Sequence, residues 1–206
     1  MTVADRVLTV VLAVIVVGAL SLVAMYNRLV RSRNRVREAW SGIDVQLQRR
    51  GSLIPNLVES VRGYAAHERG VFDDVTRARA ALQQADGAAA AASANTALTQ
   101  ALSRLLAVAE AYPELRASAN FASLQQELAN AEEKIAFARQ FYNRNALDYN
   151  TRVDTFPAVV VARSFGFAPA EFFSAPEESR AEVKVSFGAS APASAPGTTS
   201  PPSELT

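Results

Sequence analysis

The chain contains no cysteine, a single histidine and almost no net charge. Without cysteine the protein can form no disulfide bond and no thiolate metal site, and it has no cysteine nucleophile. The formal net charge of +1 predicts no strong electrostatic field that would attract nucleic acid. These absences exclude a disulfide scaffold and argue against a nucleic-acid-binding protein. They fit a cytosolic domain without excluding a periplasmic one.

The common motifs of enzymes are also missing, since the sequence has no Gly-rich phosphate loop and no Ser elbow. His67 stands beside Glu68, and Glu127, Glu132 or Glu133 would be the further ligands of a metal site. Ferritin-like di-metal sites instead use Glu-x-x-His on two helices, and adjacent residues of a helix point to different faces. We therefore expect no catalytic residue, no cofactor and no metal site, and do not expect an enzyme.

Residues 7–25 form an uncharged apolar run, VLTVVLAVIVVGALSLVAM. This length crosses about 30 Å of hydrocarbon, so a single-pass transmembrane helix is predicted. A cleaved signal peptide is the main alternative. It is disfavoured because the apolar run is too long, only Arg6 precedes it beside Asp5, and no small-x-small cleavage site follows.

Arginines follow this span closely, whereas Arg6 alone precedes it. The positive-inside rule then places the short N-terminus outside and the rest of the chain in the cytoplasm, at the inner (plasma) membrane. The same arginines can instead attract anionic head groups, and both roles stay open. The flanking residues are Arg28, Arg31, Arg33, Arg35 and Arg37.

The span and the segment after it read as one helical rod, residues 7–50, roughly 66 Å long at the usual rise per residue. Gly42 is expected to let a neighbouring helix approach, and Gly51 is expected to end the helix. An apolar stripe at spacings of three and four predicts one buried face. Its members are Val36, Trp40, Ile43 and Leu47.

A second helix is predicted to begin at Ser52 as N-cap, with Pro55 in its first turn. Glu68 falls on the apolar stripe of this helix and is predicted to point inward. A buried carboxylate needs a cationic partner, and Arg139 or Arg152 is proposed for it. The stripe itself comprises Ile54, Leu57, Val61, Tyr64, Phe72, Val75 and Leu82.

Residues 83–95 break the pattern, and Asp86-Gly87 predicts a turn whose flanking Ala run is frayed. A third helix follows, carrying Leu98, Leu102, Leu105, Val108 and Tyr112, and Pro113 ends or kinks it.

A fourth helix, residues 120–156, carries a heptad repeat sustained over five repeats, typical of the knobs-into-holes packing of coiled coils. The seam becomes polar at Asn145 and Arg152, which are predicted to point inward. The stripe of Trp40 is its expected docking face. The predicted core positions are Phe121, Leu128, Ile135, Tyr142, Tyr149 and Phe156.

After Phe156-Pro157 the chain has an apolar stretch, residues 158–173, and then a tail. The lengths of the antiparallel helices predict that this stretch lies at the membrane side of the bundle. There it either caps the open end of the bundle or enters the bilayer interface. Residues 188–203 contain only Gly, Ala, Ser, Pro and Thr, which predicts disorder. Residues 182–187 alternate in polarity and could instead add as a strand to a partner.

The predicted fold is all-α. Residues 1–25 hold the short external N-terminus and the transmembrane helix, residues 26–173 an antiparallel four-helix bundle continuous with that helix, and residues 174–206 a disordered Ala/Pro/Ser-rich tail.

Several runs of consecutive residues in this chain resemble sequences of the LemA family. The front half matches in Ala39-Trp40-Ser41-Gly42-Ile43-Asp44 and Leu53-Ile54-Pro55-Asn56-Leu57; the back half matches in Leu124-Gln125-Gln126-Glu127-Leu128 and Gln140-Phe141-Tyr142-Asn143, with Tyr149-Asn150. The resemblance implies a bacterial single-pass protein with a small external N-terminus and a cytoplasmic helical bundle, and it implies no activity. A magnetosome-membrane protein is similar to this family, which hints at membrane organisation.

Three functions follow as hypotheses. The first is a non-enzymatic membrane-anchored scaffold that presents its helices and tail to unknown protein partners. The second is direct lipid binding or membrane organisation. The third, an enzyme or metalloprotein, is the least supported.

Overall fold

The computed structural model describes residues 3–174, and this part of the chain contains helices and no strand. The all-α class is thereby confirmed. Residues 167–174 are extended and are called the strap below. The predicted tail lies, from residue 175 on, outside the described residues. The helices are α1 (Val3–Arg62), α2 (Arg69–Gln84), α3 (Ala88–Glu110), α4 (Pro113–Arg116), α5 (Ala119–Asp154) and α6 (Ala158–Ser164).

Helix α1 has two parts with different surroundings. Its apolar N-terminal part is long and apolar enough to cross a membrane, and none of this window is buried inside the protein. From Leu29 onward one face is buried, and this face continues through Ile43 to Val61. With 60 residues, α1 is about 90 Å long. The predicted long apolar N-terminal helix is therefore confirmed, and it is continuous with the folded part of the chain.

The prediction that Gly51 ends the first helix is wrong, because α1 continues without a break to Arg62. Ser52 is no N-cap, since its hydroxyl donates a hydrogen bond to the Arg49 carbonyl at 2.7 Å. Pro55 has no N–H to give to the carbonyl four residues earlier. The Arg79 Nε of α2 donates to that Gly51 carbonyl instead, at 3.0 Å. A long-range hydrogen bond thus replaces the one that proline removes.

Replacing Gly51 by Ala is expected to stabilise the protein by about 0.5–1 kcal/mol, because alanine favours helix more than glycine does. A Cβ atom at Gly51 would meet no atom within 4 Å. The measurement is urea unfolding in mild detergent, followed by the fluorescence of Trp40, the chain's single tryptophan. Destabilisation by Gly51→Ala would contradict a continuous helix at this point.

Gly87 is the matched control for this substitution. It precedes α3 with φ of +83°, in the left-handed region that disfavours residues with a Cβ. Gly87→Ala is therefore expected to destabilise the protein by about 1 kcal/mol. A stabilising Gly87→Ala would contradict the left-handed turn.

The turn at Asp86-Gly87 is present, but the predicted fraying around it is wrong. Helix α3 begins at once with the Ala run, and Ala88, Ala91 and Ala92 are buried in the core. Small side chains let α3 pack closely here. Gly42, in contrast, serves no close approach, because a Cβ atom there would meet nothing within 4 Å.

Helices α1 and α5 pack along each other, and two core clusters form around them. Rising residue numbers of α1 meet falling numbers of α5, since Trp40 contacts Tyr142 and Arg50 pairs with Glu132. The cluster nearer the apolar span also contains α6 and strap residues. The other cluster contains residues of α2, α3 and α4. Assembly of the four long helices into one antiparallel bundle stays a prediction.

Candidate functional site at the base of the helical domain

Five of the six heptad positions of α5 are buried, and the sixth is not. Trp40 is half-buried, with its ring centroid 5.6 Å from that of Tyr142. The predicted core position of Phe156 is wrong, because this side chain is 79% exposed. Helix α5 ends at Asp154, so the heptad phase no longer applies at Phe156. The buried positions are Phe121, Leu128, Ile135, Tyr142 and Tyr149.

The three polar residues that were predicted to point inward lie in three different environments. Glu68 is exposed in the break between α1 and α2, so its predicted inward orientation is wrong. It makes no ion pair within residues 3–174. Asn145 is half-buried, and its Nδ2 donates to the Phe141 carbonyl of its own helix at 2.8 Å. Arg152 is half-buried and lines a cavity described below.

Among residues 3–174 the buried charged side chain is Arg50, which is 1% exposed. Its guanidinium donates to Asn95 Oδ1 at 2.5 Å and to Thr99 Oγ1 at 2.9 Å, both on α3. It also pairs with Glu132 of α5. Arg50 thus joins three helices. No structural role was predicted for Arg50 from the sequence, although it continues the spacing of the apolar stripe from Leu47 to Ile54.

Two asparagines of α5 hold the strap by its backbone. Asn150 Nδ2 donates to the Ala170 carbonyl at 2.9 Å, and the Ala170 N–H donates to Asn150 Oδ1 at 2.7 Å. Asn143 makes the same pair of bonds with Phe173, at 3.1 and 2.9 Å. Each amide side chain therefore satisfies one donor and one acceptor of an extended segment that has no strand to pair with.

Two tyrosines reinforce this attachment. The Tyr142 hydroxyl donates to the Glu171 carbonyl at 2.7 Å, and the Tyr149 hydroxyl donates to the Ala168 carbonyl at 2.9 Å. Burial raises the pKa of both hydroxyls, with a smaller contribution from Glu171 at Tyr142 and opposition from Arg33 and Arg37 at Tyr149. A tyrosine hydroxyl is already protonated at neutral pH, so both stay donors. The Tyr-Asn dipeptide recurs after seven residues. It contributed to the family resemblance, but its contact with the strap was not predicted from the sequence.

Asn150→Ala should loosen the strap at Ala170, because it removes both hydrogen bonds to Ala170. The loss of about 1.4 kcal/mol expected for such bonds corresponds to roughly tenfold faster hydrogen exchange at the Ala170 amide. Asn145→Ala is the control, since its amide bonds only within α5. Equal exchange rates in the two variants would contradict the role given to Asn150.

Helix α6 and its flanks form the end of the helical domain next to the apolar span, which we call the base. Val161, Ala162 and Phe167 are buried there and cover the core. Phe156, Val160 and Phe165 are exposed apolar side chains of the same region. Residues 158–173 therefore cap the core with one face and leave a second apolar face uncovered.

The base lies level with the end of the apolar span. The Phe165 ring centroid is 5.0 Å from that of Tyr26, which directly follows Met25. A cavity of about 350 Å³ lies beside it and is bounded by Met25, Leu29, Phe156 and the two arginines Arg28 and Arg152. These contacts show that the chain after α5 returns to this end of α1, as the helix lengths predicted.

The arginines that follow the span do not share one environment. Arg33 is half-buried, with its Cζ 4.9 Å from the centroid of the Phe167 ring. Arg28, Arg31, Arg35 and Arg37 are exposed. Their role as a topology signal stays a prediction.

Metal-ligating residues are not gathered in the described part of the chain. Between residues 3 and 174 no group of three or more His, Cys, Asp or Glu side chains could hold a metal ion. His67 is exposed in the break before α2. The base itself presents an apolar and basic surface beside the apolar part of α1.

Comparison with known proteins agrees with this architecture. The model of the LemA family matches residues 39–187. The chain belongs to the LemA family. The match to this LemA chain begins within α1 at Ala39, after the apolar span, and covers α2 to α6 and the strap. The resemblance predicted from the sequence is thereby confirmed.

Two curated relatives show how similar this LemA chain is to known proteins. Magnetosome protein MamQ 1 of Paramagnetospirillum magneticum is 29% identical over 194 residues, covering 78% of this chain and 71% of MamQ 1. Protein LemA of Metamycoplasma hominis is 26% identical over 161 residues, covering 78% of this chain and 74% of that protein. With the apolar part of α1, these similarities identify a membrane-associated helical protein.

Proposed function

We propose that this LemA chain is a non-enzymatic scaffold anchored in the bacterial inner membrane, with its helical domain in the cytoplasm. The observation that carries the proposal is the continuity of α1. The same helix supplies the exposed apolar segment and one wall of both core clusters. A span joined to the core without a flexible linker holds the domain at a set distance from the bilayer, as a scaffold requires.

The exposed surface of α5 supports binding of protein partners. Phe137 and Phe141 lie one turn apart and are 73% and 53% exposed. Residues four apart lie on the same face of a helix, so the two rings form one apolar patch. Patches of this kind are typical of surfaces that bind other proteins.

Proximity labelling with the intact anchored chain tests the scaffold directly. Phe137→Ser/Phe141→Ser is expected to lose partners that the unaltered chain labels, without loss of stability. Leu147 provides a control, since it is also on α5 and exposed, and Leu147→Ser should leave the labelled set unchanged. Identical sets of labelled proteins for all three chains would contradict binding through this patch.

Topology is tested by single-cysteine labelling, which is clean because the chain has no native cysteine. We expect Val3→Cys to react with an impermeant maleimide on intact spheroplasts. Phe137→Cys should react only after lysis, because the positive-inside rule places it in the cytoplasm. Labelling of Phe137→Cys from outside would overturn the proposed orientation.

Direct action on lipid is the second candidate function, and the uncovered apolar face of the base favours it. Flotation of a chain lacking residues 1–25 with anionic vesicles at low salt distinguishes direct action on lipid from the scaffold function. Direct lipid action requires that this chain float with the vesicles. If this chain stays unbound, direct action on lipid is contradicted and the scaffold function remains.

A further inference from the structure

The cavity at the base has two kinds of wall. Met25 and Leu29 of α1 and Phe156 supply apolar surface, while Arg28 and Arg152 are the two charged residues of the lining. A wall that is partly apolar and partly cationic matches an amphipathic anion. Its volume of about 350 Å³ is at the lower end for small-ligand sites, enough for a head group but not for a whole phospholipid.

The two guanidinium groups have no partner of opposite charge in the described part of the chain. Neither Arg28 nor Arg152 makes a side-chain hydrogen bond or ion pair with another residue between 3 and 174. Two cations that line one cavity repel each other, and an anion between them would replace this repulsion by attraction. Guanidinium groups bind phosphate oxygens in a bidentate geometry, so a phosphate group fits this position.

The surroundings of the cavity point to lipid as the source of that phosphate. Met25 ends the apolar span, which places the cavity at the level of the head groups. Phe156, Val160 and Phe165 are large exposed apolar side chains in the same region, and Phe165 contacts Tyr26. Such side chains lose their contact with water when the base enters the interface.

We propose that this cavity binds one anionic phospholipid. The phosphate lies between Arg28 and Arg152, and the glycerol and upper acyl chains contact Met25, Leu29 and Phe156. The remaining acyl chains stay in the bilayer around α1. The inference rests on the membrane anchoring of the proposed function, but it holds for either orientation and for either candidate activity.

Native mass spectrometry of the full chain in non-ionic detergent tests the site. The probes are phosphatidylglycerol and phosphatidylethanolamine at equal concentrations. We expect one phosphatidylglycerol bound per chain in preference to phosphatidylethanolamine. Arg28→Gln/Arg152→Gln should reduce this occupancy at least tenfold, because it removes both cationic side chains that line the cavity.

Arg31→Gln/Arg35→Gln is the matched control, since it removes the same charge from two exposed arginines that do not line the cavity. Its occupancy should stay within twofold of the unaltered chain. An equal loss in both variants would overturn the site in favour of diffuse attraction to the basic flank. Absence of a preference for phosphatidylglycerol would also overturn it. The fluorescence of Trp40, unchanged in both variants, shows that each has folded.

Two further results separate binding of a lipid from binding of a free anion and from failure of the membrane anchor. Millimolar inorganic phosphate should not displace phosphatidylglycerol, because the apolar contacts are absent for the free ion. Displacement would overturn the lipid site, since it would show an anion site that does not recognise lipid. Recovery of the unaltered protein in the soluble fraction without detergent would overturn the anchor itself, a failure distinct from loss of the lipid site.

Discussion

Glu132→Ala is expected to destabilise the helical domain by about 3–5 kcal/mol, because it leaves the buried Arg50 guanidinium without a counter-charge. Arg50 is 1% exposed and Glu132 is 39% exposed, so water reaches the carboxylate but not the guanidinium. Asn95 and Thr99 still accept hydrogen bonds from Arg50, but neither neutralises it. Urea unfolding followed by Trp40 fluorescence measures the loss.

Deprotonation does not relieve this cost. Burial lowers the pKa of the Arg50 guanidinium, and the charge of Glu132 opposes that shift. An arginine nevertheless stays protonated in a protein at neutral pH. The destabilisation by Glu132→Ala should therefore be the same throughout the neutral range.

The asymmetry of the pair gives a sharper test. Arg50→Met is expected to cost only about 1–2 kcal/mol, because methionine fills much of the volume and water can solvate the remaining Glu132 carboxylate. Glu133→Ala, at an exposed neighbour on α5, should change stability by less than about 0.5 kcal/mol. An Arg50→Met as costly as Glu132→Ala would contradict this assignment of the buried charge.

Regular periodicity made the long helices predictable from the sequence. The uncharged run of residues 7–25 and the heptads from Phe121 to Tyr149 each repeat one physical pattern over many turns. The summed contribution of these many positions to helix formation is larger than the contribution of any single residue. Helix α5 accordingly begins and ends within two residues of its predicted bounds.

Helix ends were less predictable where a local signal competed with distant contacts. Gly51 and Pro55 are ordinary breakers, yet α1 passes through both. Burial of Ile54, Leu57 and Val61 favours the continued helix, and the hydrogen bond from Arg79 compensates for Pro55. The sequence of residues 51–55 alone gives no indication that Arg79 supplies this hydrogen bond.

The candidate site was the least predictable part, because it is assembled from residues far apart in the chain. Arg28 and Arg152 carry no common motif, and the hydrogen bonds that hold the strap go to its backbone, which its sequence does not reveal. The Tyr-Asn repeat was visible as a spacing of seven. Only the course of the strap shows that Tyr142, Asn143, Tyr149 and Asn150 all bind it.

Phe121 and Phe156 occupy equivalent positions in the heptad pattern, and their replacement by alanine should have very different effects. Phe121 is 1% exposed, so Phe121→Ala is expected to cost about 3–5 kcal/mol through lost burial and the cavity that remains. Phe156→Ala should cost less than about 0.5 kcal/mol in detergent, because its ring is almost entirely outside the core. Urea unfolding followed by Trp40 fluorescence measures both variants.

The opposite outcome would revise the position of the base. Equal costs for Phe121→Ala and Phe156→Ala would mean that α5 continues its heptad beyond Asp154 and buries Phe156 in the core. The apolar wall of the proposed lipid cavity would then be lost. A small cost at Phe156 instead leaves this ring free to contact the bilayer beside Met25, where the span ends. The two phenylalanines therefore separate the part of the heptad that stabilises the domain from the part that we propose to contact the membrane.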